Sequence, residues 1–316
     1  MKPCFRYFLC SVTLLLWVNV SIMQKAKAYD EIQQNCDDFS IQVLGAGGPE
    51  IDDGLASSSF LIWIGSKARI MVDAGGGSSF NFEKSAANFN DIEAILLTHL
   101  HVDHSAALPI YIKAAYFSGR TQDLKVYGPG SGGYFPATDD FIKHLFGPQN
   151  SVYPYLSDNV VKQPSTQFLI KPIVVIPKGK IMTYKMGKDL KVSAIDVQHG
   201  PVPALAWRVD YGLCSVTFSG DMNGSLGHLE RLALNTNLLV ANNAIPEDAG
   251  KIARFLHMRP SKIAAIAQKA HVKSLLLAHF MNRTKNRIPE TLSIIKKQYP
   301  GTILLAKDLM EIEIDD

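Results

Sequence analysis

The segment Thr98-His99-Leu100-His101-Val102-Asp103-His104 constrains this chain more than any other. It places three imidazoles and a carboxylate in six consecutive residues, at the end of the apolar run Ile92 to Thr98. Such a run is expected to be a short buried strand. Alternation along an extended segment sets His99 and His101 on one side, and the turn that follows lets Asp103 and His104 face a second point nearby. Histidine and carboxylate together suit zinc, manganese or iron. A lone histidine here would be an ordinary core or surface residue, but four such groups together point to a metal centre.

The flanking sequence fits a layered α/β fold. Ile41 to Leu44 leads into the turn Gly45-Ala46-Gly47-Gly48-Pro49, and Ser59 to Ile64 and Arg69 to Val72 form a hairpin around Gly65-Ser66-Lys67. Ser105 to Phe117 has helical spacing and Leu124 to Tyr127 reads as a strand. Residues 129 to 190, rich in Gly, Pro, Tyr and Asn, read as a long irregular loop. Strands resume at Lys191 to Val197, Ala204 to Tyr211 and Leu213 to Ser219. A helix follows over Ser261 to Ala270 with Ser261 as N-cap, then a strand at Leu275 to Ala278, a helix over Pro289 to Lys297 and a last strand at Thr302 to Leu305. Two series of strands, each followed by helices, fit two sheets between helical layers. With 316 residues, 47% of them hydrophobic, the chain can bury a sizeable core.

The first residues stand apart. Lys2 and Arg6 precede the mostly apolar Phe8 to Met23, and Ala26-Lys27-Ala28 has the small-x-small pattern of a cleavage site. We expect a secretory signal over residues 1–28, cut before Tyr29, and one domain over 29–316 in the periplasm or medium. The apolar run falls short of the roughly 20 residues that a span needs, so no stable membrane anchor is expected after cleavage. Losing Lys2, Arg6, Lys25 and Lys27 moves the formal charge from +3 to about −1. A near-neutral protein carries no basic footprint, which argues against nucleic acid and for a small-molecule substrate. A homodimer stays open. Cys36 and Cys214 are left; an oxidising compartment permits their pairing, and a buried free thiol suits Cys214 equally.

The histidine cluster resembles that of the metallo-β-lactamase superfamily. Three further matches sit at strand ends: His199 before Gly200-Pro201, Asp221 in Phe218-Ser219-Gly220-Asp221, and His279 in Leu275-Leu276-Leu277-Ala278-His279-Phe280. The resemblance implies a four-layer αββα sandwich, the metallo-β-lactamase fold. It also implies two divalent ions, zinc before manganese or iron. His99, His101 and His199 would hold one ion, and Asp103, His104 and His279 the other, with Asp221 between. Asp73, in Met71-Val72-Asp73-Ala74-Gly75, resembles an aspartate supporting the first ion's ligands. Leu44-Gly45-Ala46-Gly47-Gly48-Pro49 and His199-Gly200-Pro201-Val202-Pro203-Ala204-Leu205-Ala206 resemble the ribonuclease Z and arylsulfatase-like branch. In that branch His257 would be a proton donor, so Asp103 and His257 are the catalytic candidates. His144, His228 and His271 fit no motif.

Two features depart from ribonuclease Z. His199 and Asp221 stand only 22 positions apart, which leaves no room for a tRNA-gripping arm. Ala241-Asn242-Asn243-Ala244 replaces the tract that carries a glutamate partner for the catalytic histidine. The expected function is therefore an exported hydrolase that cleaves a small phosphodiester or aryl sulfate with a hydroxide held between two ions, substrate choice lying in residues 129 to 190. The alternatives are a ribonuclease Z-like nuclease, a lactone, thioester or β-lactam hydrolase, and a non-hydrolytic metal oxygenase or binding module.

Overall fold

The computed structural model describes residues 36 to 314. The expected signal over 1–28 lies outside them. Chain order first builds one sheet from β1 (Phe39–Gly45), β2 (Ser59–Ile64), β3 (Lys67–Val72), β4 (Ala94–Leu96), β5 (Leu124–Pro129) and β6 (Ile170–Val175). It then builds a second from β7 (Met182–Lys185), β8 (Leu190–His199), β9 (Val202–Tyr211), β10 (Cys214–Phe218), β11 (Leu238–Asn242), β12 (Ser274–Ala278) and β13 (Thr302–Leu305). β14 (Glu311–Glu313) returns to pair with β1. Each sheet has seven strands, ordered β14-β1-β2-β3-β4-β5-β6 and β13-β12-β11-β10-β9-β8-β7.

Alternation decides which side chains fill which layer. Ile41, Val43, Phe60, Ile62, Ile70, Val72 and Leu96 join residues of the second sheet in one buried cluster. Their neighbours Leu44, Leu61, Met71, Ile95 and Leu97 pack into another, with Leu108, Tyr111 and Ile112 from the helix Leu108–Phe117. The first cluster is the seam between the sheets, where Phe60 meets Phe218 with ring centroids 5.3 Å apart. Trp207 of β9 is fully buried, and its indole Nε1 donates to the Leu97 carbonyl at 3.0 Å. Sheets packed face to face with helices outside are the expected αββα sandwich.

Three expectations need correction. Residues 129 to 190 are not one loop: they contain the helix Thr138–Phe146 and the edge strands β6 and β7. Several of their Gly and Pro residues mark turns between these elements, although Pro172 lies within β6. The expected helix over Ser105 to Phe117 is two, Val102–Ser105 and Leu108–Phe117, with Pro109 opening the second. Ser261 is not an N-cap, because the helix starts at Pro260 and the Ser261 hydroxyl donates to Glu247 Oε1 at 2.6 Å. Of the two states left open for Cys214, the structure has the paired one: it forms a disulfide with Cys36, tying the described N-terminus to β10. No helix among the described residues is long and apolar enough to cross a membrane.

Candidate metal centre

β3 and β4 run parallel, as do β10, β11 and β12. β8 and β10 both run antiparallel to β9 and so share one direction. Asp73 follows β3, His99 lies just beyond β4, His199 closes β8, Asp221 follows β10 and His279 follows β12. All these residues therefore gather at the carboxyl ends of their strands, where open α/β sheets place ligands. Backbone turns aim them there. Gly220 has φ 57°, and a Cβ on it would stand 2.9 Å from the Leu205 carbonyl and Thr98 Cβ. Asp73 and His279 take positive φ themselves, at 58° and 56°, a conformation costing about 1–2 kcal/mol for residues other than glycine.

The seven ligand candidates form two groups of four donors that share Asp221. One comprises His99, His101, His199 and Asp221, the other Asp103, His104, His279 and Asp221; within each, the donor atoms lie within 4.8 Å of one another. In the first, His99 Nε2 and His199 Nε2 stand 2.9 and 3.3 Å from His101 Nδ1, and 3.9 and 3.7 Å from Asp221 Oδ2. In the second, His104 Nε2 and His279 Nε2 stand 3.5 and 3.2 Å from Asp103 Oδ2. A tetrahedron of ligands about 2.0 Å from a zinc ion has edges of about 3.3 Å, so these spacings fit an ion at each centre.

Charge tells the same story. Every ion-pair partner of Asp103 and Asp221 among the described residues is a histidine. Burial alone would raise both carboxyl pKa values, but the neighbouring histidines outweigh it. Asp103 falls to about 2, and Asp221 lies well below the carboxylate range. Burial, then His104, holds His99 well below the usual imidazole value, and burial followed by His199 lowers His101. His104 moves the other way: burial opposes its charge, yet Asp73, Asp103 and Asp221 raise it to about 10. Its Nε2 is buried with no hydrogen-bond partner and faces two carboxylates. Buried anions with unpaired imidazole nitrogens around them are a donor set that suits cations.

Supporting bonds set the histidine tautomers. Asp73 Oδ2 accepts from His104 Nδ1 at 2.7 Å, which turns Nε2 towards the centre. The same carboxylate oxygen accepts from the Thr98 hydroxyl at 2.9 Å, and Thr98 Oγ1 lies 3.1 Å from His99 Nδ1. Asp73 therefore supports His104 directly and His99 through Thr98, where the sequence placed it only beside the first group. His199 Nδ1 donates to the Leu256 carbonyl at 2.8 Å. Asn242 Nδ2 donates to Asp221 Oδ1 at 2.8 Å. Sequence reasoning missed Thr98 and Asn242 as supports, although an amide closing an apolar strand was a visible signal.

His257 ends the helix Lys251–Leu256 and borders both groups. Its Nδ1 is 3.7 Å from Asp221 Oδ2, and its ring centroid lies 5.2 Å from that of His199 and 6.0 Å from that of His279. Burial lowers its pKa to about 4, although Asp221 pulls the other way. Of residues 129 to 190, Phe135 reaches the site, edge-on to His101 with ring centroids 5.3 Å apart.

Fold, strand-end donors and paired clusters together define a metal-dependent hydrolase of the α/β sandwich class. The Metallo-beta-lactamase superfamily model matches residues 52–271, and the chain belongs to that superfamily. Among curated relatives, ribonuclease Z of Picrophilus torridus is 25% identical over 321 aligned positions, covering 88% of this chain and 96% of the relative. Among solved structures, the metallo-beta-lactamase fold protein YhfI from Bacillus subtilis has a TM-score of 0.67 at 20% identity, over 87% of this chain and 98% of that one. Human tRNase Z, short form, has a TM-score of 0.68 at 19% identity, over 88% of this chain and 100% of that one.

These relatives overturn the exclusion of nucleic acid. That exclusion rested on net charge, an average over the whole surface, whereas recognition depends on where the charges sit. Lys251, Arg254, Arg259 and Lys262 line one cavity beside His257.

Proposed function

We propose that this chain is a metal-dependent phosphodiesterase acting on RNA. The observation that carries the reading is the pair of four-donor clusters joined by Asp221. His99, His101 and His199 would hold one ion and Asp103, His104 and His279 the other, with Asp221 common to both. Two divalent ions in such a site supply Lewis acidity and water of lowered pKa; zinc suits these donors best, and manganese or iron can use them. The chain's own residues set the rest. Asp73, Thr98 and the Leu256 carbonyl orient the imidazoles, Asn242 orients Asp221, and His257 stands beside the site as the group that can protonate a leaving oxygen.

The ribonuclease Z relatives favour RNA over a small phosphodiester or aryl sulfate, which sequence reasoning had put first. The chain still lacks a projecting arm between His199 and Asp221: β8 turns at Gly200-Pro201 directly into β9, and β10 follows. The substrate is thus proposed to be a strand held by the walls of the site, with no distant grip on a folded tRNA. Purified protein loaded with Zn²⁺ or Mn²⁺ should cleave short RNA and bis-p-nitrophenyl phosphate, and elemental analysis should find two ions per chain. Turnover of p-nitrophenyl sulfate, a lactone or nitrocefin, with both phosphodiesters untouched, would refute it.

Export is proposed alongside. The Cys36–Cys214 disulfide supports it, because such bonds persist in oxidising compartments. Sequencing of protein from a secreting host should begin at Tyr29, and retention of Met1 would overturn the cleavage.

A further inference from the structure

The helix Lys251–Leu256 buries none of its residues, whereas the next helix, Pro260–Lys269, buries Ile263, Ala264, Ile266 and Ala267. Ile252 is 81% exposed and Phe255 55% exposed. Burial of its own side chains therefore does not account for the position of this helix. Its main chain is tied to the metal centre instead. The Leu256 carbonyl accepts from His199 Nδ1, and the Phe255 carbonyl accepts from Asn223 Nδ2 at 2.8 Å. Gly200 permits the approach, since a Cβ there would stand 2.7 Å from Leu256 Cδ2. The exposed side chains are thereby held in fixed register with the ligands.

Beside the helix lies a cavity of about 500 Å³, lined by Lys251, Arg254, Arg259 and Lys262 together with Asn223 and His257, and by no acidic side chain. Arg259 has a partner in Glu247 at 3.5 Å. Lys251, Arg254 and Lys262 have no carboxylate partner among the described residues. Like charges sharing one cavity repel, and a polyanion relieves that repulsion. An aromatic face among cations is the pattern that holds single-stranded nucleic acid, with phosphates on the cations and a base on the ring.

We infer that this helix and the start of the next form the subsite for nucleotides flanking the scissile phosphate of a single RNA strand. Lys251, Arg254 and Lys262 neutralise neighbouring phosphates, and Phe255 stacks on a base. The inference rests on the phosphodiesterase reading above. A lipid surface also attracts cations beside apolar side chains, but here the cations converge on a cavity that shares His257 with the metal centre, and the helix has only six residues.

The test is fluorescence anisotropy of the full chain with a short labelled single-stranded RNA at increasing salt. It is paired with turnover of that RNA and of bis-p-nitrophenyl phosphate, which has no flanking phosphates. Lys251→Ala with Arg254→Ala should weaken RNA binding at least tenfold. It should also flatten the slope of log affinity against log salt by about 1.4, roughly 0.7 per cation on a single strand. Phe255→Ala should weaken binding on the order of five- to a hundredfold and leave the slope unchanged. In both cases kcat/KM should fall much more for RNA than for the small diester. Unchanged RNA binding in the variants would overturn the subsite. So would equal losses on both substrates, or wild-type binding to phosphatidylserine vesicles and not to RNA. If the wild-type protein leaves both phosphodiesters intact, the phosphodiesterase reading falls, while the anisotropy series still decides the subsite.

Discussion

At the scale of single residues, the centre depends on groups that never touch the substrate. Asp73 orients His104 directly and His99 through Thr98, so one carboxylate serves both groups of donors. Asp73→Asn should lower metal affinity about 10–100-fold, the usual effect of removing a bond behind a ligand histidine. Competition with a chelator measures it, and loss from both positions distinguishes a shared support from one acting on His104 alone. His257 presents a harder question. A general acid must carry a proton, and burial lowers the pKa of this ring, so an anionic phosphate beside it has to raise that value. His257→Ala should slow RNA cleavage by about 10²–10⁴. It should slow hydrolysis of nitrophenyl diesters far less, because nitrophenolate leaves without a proton. Metal content should not change. Equal losses on both substrates would make the histidine structural.

At the scale of elements, strand ends do the positioning. Every donor beyond the local cluster follows an apolar strand whose direction is set by its sheet, so small changes at those ends move the chemistry. Gly220 takes a left-handed conformation against the Leu205 carbonyl. Gly220→Ala should cost about 1–3 kcal/mol, as expected for strain at such a position. It should also displace Asp221, leaving a folded protein with fewer than two ions. Thermal unfolding and elemental analysis together check this, and full metal occupancy would show that the turn has slack. Segment 129 to 190 was misread at this scale because its strands lie at the edges of the sheets and β6 carries Pro172. Edge strands carry a weak periodic signal: β7 is nowhere fully buried.

At the scale of the whole molecule, the disulfide closes a loop with a sequence separation of 178. Cross-links over long loops remove much entropy from the unfolded chain. Cys36→Ser should therefore lower stability by about 2–5 kcal/mol, or on the order of 5–15 °C in Tm. Calorimetry in the presence and absence of a reductant checks the figure, and an unchanged Tm would mean that β1 and β10 hold that corner unaided. Charge is also decided at this scale. A charge averaged over the chain conceals a cationic cavity at the metal centre, because Lys251, Arg254, Arg259 and Lys262, close together in sequence, are turned towards one wall.

What the sequence determined by itself was local. His99, His101, Asp103 and His104 are legible because a strand followed by a turn sets their relative directions within a few residues. His199, Asp221 and His279 are legible through the resemblance to the family's motif, which places each at the end of an apolar run, and the two-sheet architecture follows from the order of those runs. The grouping of donors around the shared Asp221 was only implied by resemblance. The double role of Asp73, the bond from Asn242 and the Cys36–Cys214 pairing emerged only with the tertiary structure. Each joins residues from different strands or loops, and their distance is set by sheet order and crossover connections, which leave no periodic trace along the chain.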